Sequence, residues 1–508
     1  MRSTLADSIR TLGGRSPTLS DIMRLGVIVA ALVVGLFVRL YGITSSLWLD
    51  EFGSLWVVEA SLGEAWARAL EFQGQSPLYY LLTWIPIHLV GESEAALRST
   101  SLLFSAAAVP VVYQLGKELA GERCGMLAGL MVWFDPFLLA TSVEARPYAL
   151  ALFFAALHLL GFVRATARAR PADRAMFILG AVGLFYSHYL LATLVLGTYL
   201  AYLSIRALRE QYRPAQFLLD LGIQGLLTVP GLIHLMQLFG RRGELSWLGA
   251  PDFTVGLFLL ATMIVPLVAG WILAEDRAVL CRPADRAVAL AAAMPVIVVY
   301  GLAALGINLL TSRYLIVPLI PIAVLAARAV LAVPQRRFVV MIISTWFVGI
   351  AGIYAACLPV FGYFTHAFAN GRWREAVEVL DDQLQRDPGP VLFRSGFVEE
   401  DLHMSGRTIP VSRAPLRSPG CAAPAWNSII PLTFRWKAPQ RAAYFDAMVA
   451  PAVRDVRVFY ILCRRGLSYR ERLLRWAQEE CGGPWDVREL YKEGDSNKSV
   501  FVTRVSKR

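Results

Sequence analysis

The feature that most restricts this chain is a close succession of long apolar runs. They cover residues 25–43, 99–115, 125–142, 147–163, 175–187, 190–205, 217–239, 255–274, 287–306, 314–333 and 338–361. A run of about 18 or more apolar residues is long enough to cross the hydrocarbon core of a bilayer as a helix. Inside that core a helix or a closed barrel alone satisfies the backbone polar groups, and runs this continuous select the helix. The chain is 56% hydrophobic and only 17% charged, a balance that a soluble protein of 508 residues would not carry. Eleven spans are therefore expected. The stretch 77–90 is short, contains Pro86 and His88, and would put the basic loop 164–174 outside if it crossed, so it reads as a helix lying in or dipping into the outer face.

Charge tests that count. With eleven spans and a basic N-terminus inside, the inner loops hold fourteen Lys and Arg, from Lys117 and Arg123 through Arg164, Arg168, Arg170 and Arg174 to Arg336 and Arg337. The outer loops and helix ends hold six: Arg68, Arg98, Arg146, Arg241, Arg242 and Arg313. That bias is how orientation is encoded. It also accounts for the net charge of +11 without a nucleic-acid partner. The basic start reads as an uncleaved anchor. The expected setting is a bacterial inner membrane, with the N-terminus cytoplasmic and the tail periplasmic.

Beyond residue 363 charge density rises and apolar runs shorten. A helical spacing over 374–385 is broken by Asp387-Pro388-Gly389-Pro390. The stretches 391–393 and 456–462 read as buried strands and 470–480 as a helix. The expected fold class is thus an α-helical polytopic membrane protein, residues 1–363, with interfacial helices in its first outer loop and a small soluble α/β domain, residues 364–508. None of the six Cys has CxxC or metal-ligand spacing. In a periplasmic tail Cys463 and Cys481 are the favoured disulfide pair over pairs with Cys421; three reduced thiols are the alternative.

The chemistry is expected in the first outer loop. Asp50 and Glu51 follow directly on the first span, among Trp48, Trp56 and Trp84. A carboxylate at the membrane face suits a general base that deprotonates an acceptor hydroxyl or amine. Arginines beside it suit a phosphate. Asp50, Glu144, His188 and Arg313 fall on one side of the membrane with this topology.

The pieces Asp50-Glu51, Ser76-Pro77-Leu78-Tyr79-Tyr80, Arg98, Glu144-Ala145-Arg146-Pro147-Tyr148, Ser187-His188-Tyr189 and Ser312-Arg313-Tyr314 stand in the order found in the GT-C glycosyltransferases. The chain resembles that superfamily, which includes protein O-mannosyltransferases, aminoarabinose transferases and lipopolysaccharide galacturonosyltransferases. The resemblance implies an inverting transfer of a sugar from a polyprenyl-phosphate donor to a lipid, glycan or protein acceptor. Asp50 and Glu51 would be catalytic; Arg98, Arg146 and Arg313 would bind the donor phosphate; Glu144, Tyr148, His188 and Tyr79 would support them. Where relatives often have His-Pro-Pro-Leu, this chain has Gln75-Ser76-Pro77-Leu78, so the usual metal-ligand position is not matched; no cofactor is certain, and metal-independent and weakly metal-assisted transfer by a divalent ion both stay open.

Structural roles compete with each assignment. Arg146 and Arg313 also suit helix anchors, Arg98 a support for the loop carboxylates, Glu144 a partner for Arg146, His188 a hydrogen-bonded structural residue, and Tyr79 interfacial packing. Arg39 suits a snorkelling anchor. Asp135, inside an apolar run, is a site candidate by position; Asp220 and His234 suit a buried polar pair. The rival function is a transporter or lipid flippase, for which Asp135, Asp220 and Arg328 are the candidate intramembrane charges.

Overall fold

The computed structural model describes residues 19–47, 49–71, 76–240, 253–307, 312–360, 373–394, 429–432, 441–464, 467–482, 484–492 and 500–507. Each of the eleven expected spans contains a helix: α1 Leu19–Gly42, α5 Glu94–Ala120, the pair α6 Glu122–Phe134 and α7 Pro136–Ser142, α8 Tyr148–Arg168, α9 Pro171–Ser187, α10 Thr193–Ser204, α11 Pro214–Gly240, α12 Phe253–Leu273, α13 Pro283–Ala304, α14 Leu319–Leu331 and α15 Arg336–Val360. Among the described residues seven helical segments are long and apolar enough to cross a bilayer unaided, eight when the bent pair α6–α7 counts as one. The protein is a multi-pass membrane protein. The loop after α1 folds into three short helices, α2 Leu49–Val58, α3 Leu62–Glu71 and α4 Leu78–Val90, the last forming where the sequence reads a short helix at 77–90.

Two segments form the centre: α8, 72% buried, and 314–331, 83% buried. Small residues permit the closest approach. A Cβ at Gly161 of α8 would stand 2.3 Å from the Phe177 backbone nitrogen, and one at Gly180 of α9 2.4 Å from that of His158, so α8 and α9 touch through their backbones. By contrast α11 is only 22% buried and turns Leu226, Ile233 and Met236 outward.

The tail holds a mixed sheet of five strands, β1 Val391–Arg394, β2 Ile429–Pro431, β3 Val458–Arg464, β4 Trp485–Lys492 and β5 Val500–Lys507, in the order β2-β1-β3-β5-β4. β1 runs parallel to β2 and β3; β5 runs antiparallel to β3 and β4. The side chains of β3 alternate between two cores: Val458, Tyr460 and Leu462 face one, Phe459, Ile461 and Cys463 the other. One core carries α16, Trp373–Arg386, and the other α17, Leu467–Cys481. The first core is continuous with the buried side chains of the outer loop, including Leu47, Phe52, Trp56 and Tyr79. The tail elements that the sequence predicts are present with their ends moved by one to three residues; β2, β4 and β5 were not anticipated. Cys421 and the side chain of Cys481 lie outside the described residues.

Candidate functional site

The site begins where α1 ends. The chain turns at Ile43–Ser46 and enters α2, whose first turn carries both acids, a favoured place for negative charge. The two then diverge. Glu51 is fully buried and meets the equally buried Arg98 of α5 in a bidentate pair, Nε to Oε1 at 2.7 Å and Nη2 to Oε2 at 2.5 Å. Glu51 also accepts the Ala145 backbone N–H at 2.7 Å. The remaining Arg98 donors reach the carbonyls of Ile43 (3.1 Å), Ser45 (2.6 Å) and Ser46 (3.2 Å). Arg98 thus clasps the end of α1, α2 and the 143–147 turn together. Of the two roles open to it, this geometry favours support of the carboxylates over contact with a phosphate.

Asp50 is half-buried. Its carbonyl accepts from Arg146 Nη1 at 3.4 Å, and the Ser54 hydroxyl bonds both to it and, at 2.8 Å, to the Ala145 carbonyl. Arg146 is 7% exposed and its Nη1 lies 3.5 Å from the Tyr80 hydroxyl. Burial works against its charge, but the Tyr80, Asp50, Tyr148 and Glu144 groups around it raise its pKa further above the ordinary arginine value. The Arg146 carbonyl accepts from Ser101, which bonds Tyr79 at 2.9 Å. Tyr79 therefore ties α4 to α5. Glu144, 8% exposed, opens the same turn, its carbonyl accepting the Arg146 N–H at 2.8 Å.

The distant motifs meet through rings. Tyr148 stacks on His188 at 5.7 Å, and His188 meets Tyr314 edge-on at 4.9 Å. The Arg146, His188 and Arg313 segments therefore converge, as their order and sidedness predict. The side chain of Arg313 itself lies outside the described residues, as does Trp48. Among the described residues no three His, Cys, Asp or Glu side chains form a group that could hold a metal ion. Gln75, which stands in place of the histidine of that motif, lies outside the described residues.

The intramembrane charges have structural partners. Asp135 caps α7, accepting the Phe137 and Leu138 N–H groups at 3.0 Å each. Asp220 pairs with Arg174 at 2.5 Å and with the Tyr212 hydroxyl at 2.5 Å, while His234 bonds Tyr189 and the Leu70 carbonyl at 2.9 Å each. The expected Asp220–His234 pair does not exist: fourteen residues apart on α11, they stand about 21 Å apart along its axis. Arg328 meets Asp285 at 2.8 Å and the Leu119 carbonyl at 2.7 Å. Arg39 does not snorkel. It is fully buried, with its guanidinium 3.6 Å from the Trp133 ring and donating to the Trp133 carbonyl at 2.9 Å. Sequence reasoning missed the supporting hydroxyls Ser54 and Ser101, which carry no signal beyond helical spacing.

With this geometry in hand, comparison with known proteins is informative. Residues 74–234 match the family described as dolichyl-phosphate-mannose-protein mannosyltransferase, a segment that runs from the Ser76-Pro77 motif to His234. No curated protein matches the sequence. The crystal structure of ArnT from Cupriavidus metallidurans, bound to undecaprenyl phosphate, superposes with a TM-score of 0.55 at 12% identity, covering 94% of this chain and 98% of that one. The fold is the one seen in that ArnT structure. An oligosaccharyltransferase from Archaeoglobus fulgidus, tethered with an acceptor peptide, is also similar, at a TM-score of 0.48 and 11% identity over 87% of this chain and 69% of that one. At 94% coverage the ArnT match extends beyond the membrane helices into the tail.

Proposed function

We propose that the protein is a membrane glycosyltransferase that moves a sugar from a polyprenyl-phosphate donor to an acceptor hydroxyl or amine at the outer face of a bacterial inner membrane. The observation that carries this reading is the placement of Asp50 and Arg146. The buried Arg146 guanidinium donates to the backbone carbonyl of the half-buried Asp50, while Glu51 beside them is held by Arg98 and the Ala145 N–H. In this reading Asp50 takes the acceptor proton as the acceptor oxygen or nitrogen attacks the anomeric carbon. The bond from that carbon to the phosphate oxygen breaks, and configuration inverts. The departing lipid phosphate carries the negative charge, which Arg146 and Arg313 hold. Glu51 and Arg98 position the loop, and Tyr148 and His188 line up the segments. The division at residue 363 separates the catalytic helices from a periplasmic tail.

Replacement of Asp50 tests the reading. Asp50→Asn keeps shape and removes the proton acceptor, and transfer by purified protein falls by about 10²–10⁴-fold with donor binding retained. A near-normal rate moves the base elsewhere. The transporter reading is disfavoured because Asp135, Asp220 and Arg328 are bound to helix caps and ion pairs rather than aligned along a path.

A further inference from the structure

Beside the site, α11 is built differently from its neighbours. Pro230 lies within it, so one backbone N–H is missing and one carbonyl of the preceding turn loses its donor. The Tyr186 hydroxyl enters the ladder there, donating to the Leu227 carbonyl at 2.9 Å and accepting the Gly231 N–H at 3.3 Å. A side chain inserted beside a proline is a recognised origin of a bend. Beyond it, the outer segment 231–240 is tied by His234. Nε2 faces the Leu70 carbonyl, which only accepts, so Nε2 carries the hydrogen and the Tyr189 hydroxyl donates to Nδ1. Leu70 is the penultimate residue of α3, six residues before Ser76. Between these elements lies a groove of about 480 Å³ with Trp66, Leu70, Pro77, Tyr186, Tyr189 and Ile233 on its walls. Its wall residue Ile233 is 55% exposed, on the outward side of the lightly packed α11.

We propose that His234 is a positioning residue, a latch that holds α3 and the outer segment of α11 at the spacing the groove needs. The segment turns about Pro230, and the Tyr189–His234–Leu70 chain sets where it stops. Because α3 leads in sequence to Ser76-Pro77-Leu78-Tyr79-Tyr80, the latch also fixes the approach to Tyr80 and so to Arg146. Resting on the transferase reading above, its consequence is for capture of the lipid donor and not for the chemical step.

Two measurements separate the latch from that reading. The first uses spin labels on bio-orthogonal amino acids at the exposed positions Glu64 and Met236, in nanodiscs without substrate. His234→Phe keeps the ring and removes both bonds, so the interlabel distance distribution broadens and lengthens; Tyr189→Phe, which removes one bond, gives an intermediate result should the first variant fold poorly. An unchanged distribution in both overturns the latch. The second is steady-state transfer. His234→Phe raises KM for the lipid donor by roughly five- to tenfold, the scale of one or two hydrogen bonds, with kcat held within about twofold. His234→Gln, which still donates to the Leu70 carbonyl, restores part of the loss. A fall in kcat at constant KM overturns the positioning role. Absence of transfer by the wild-type protein overturns the transferase reading and leaves the spin-label result standing.

Discussion

Asp50 and Glu51 are adjacent and chemically alike, yet their surroundings part them. Glu51 has both oxygens on Arg98 in a site without water access, and removing one member of such a pair leaves the other charged and buried. Arg98→Ala is therefore expected to cost about 3–5 kcal/mol of stability, read as a lowered thermal midpoint and a poor yield. Arg146 should behave differently. Arg146→Lys keeps the charge but loses the planar fork, so donor affinity falls while the melting temperature holds, and Arg146→Ala weakens donor binding further; isothermal titration with a polyprenyl phosphate reads both. The sequence places these residues in one loop system and on one side of the membrane. It does not say which acid meets which arginine, because Glu51 and Arg98 are 47 residues apart and only packing decides the partner. The same limit hid the roles of Arg39 and Arg328, whose partners are 94 and 209 residues away.

At the scale of elements, the bend between α6 and α7 matters most. The two axes diverge by 65° at Asp135-Pro136. Asp and Pro at this spacing are an N-cap and a first helical residue, so the restart is readable in sequence once the run is seen as two helices. The apolar character of 125–142 concealed it, since hydropathy reports burial and not direction. The bend delivers Ser142 to the turn that carries Glu144 and Arg146. Arg39 completes it by donating to the Trp133 carbonyl, next to the break. Asp135→Ala should cost about 1 kcal/mol, the worth of a lost cap, whereas Asp135→Asn retains capping and should lie close to the parent in thermal unfolding. Equal loss in both variants would give the acid another role.

For the whole molecule, the two ends of the bundle carry different chemistry. One end holds the Glu51–Arg98 clasp and the Arg146 turn. The other holds Glu118 with Arg164 and Arg168, at 2.7 and 2.8 Å, and the Arg174–Asp220 pair. These are the two faces that the loop charges assign to outside and inside. Reporter fusions are expected to read cytoplasm after Arg170 and periplasm after Tyr363, and the reverse would invert the proposed orientation. Most spans are legible because they are long apolar runs, the two around His188 being shorter; the sheet is only half legible. β1 and β3 are buried on both faces and read as apolar runs, whereas β4 exposes most of its residues and shows no strong period.

The Arg328 clamp also bears on how the chain is made. Leu119 lies at the C-terminal end of α5, where helix carbonyls lack intrahelical donors, and its donor is supplied 209 residues later. At about 5–20 residues per second, synthesis leaves that carbonyl without its guanidinium for roughly 10–40 s. Asp285, emerging in between, is likewise a buried acid in search of its cation. The Arg328 clamp on Leu119 and Asp285 can thus close only once α14 has emerged from the ribosome.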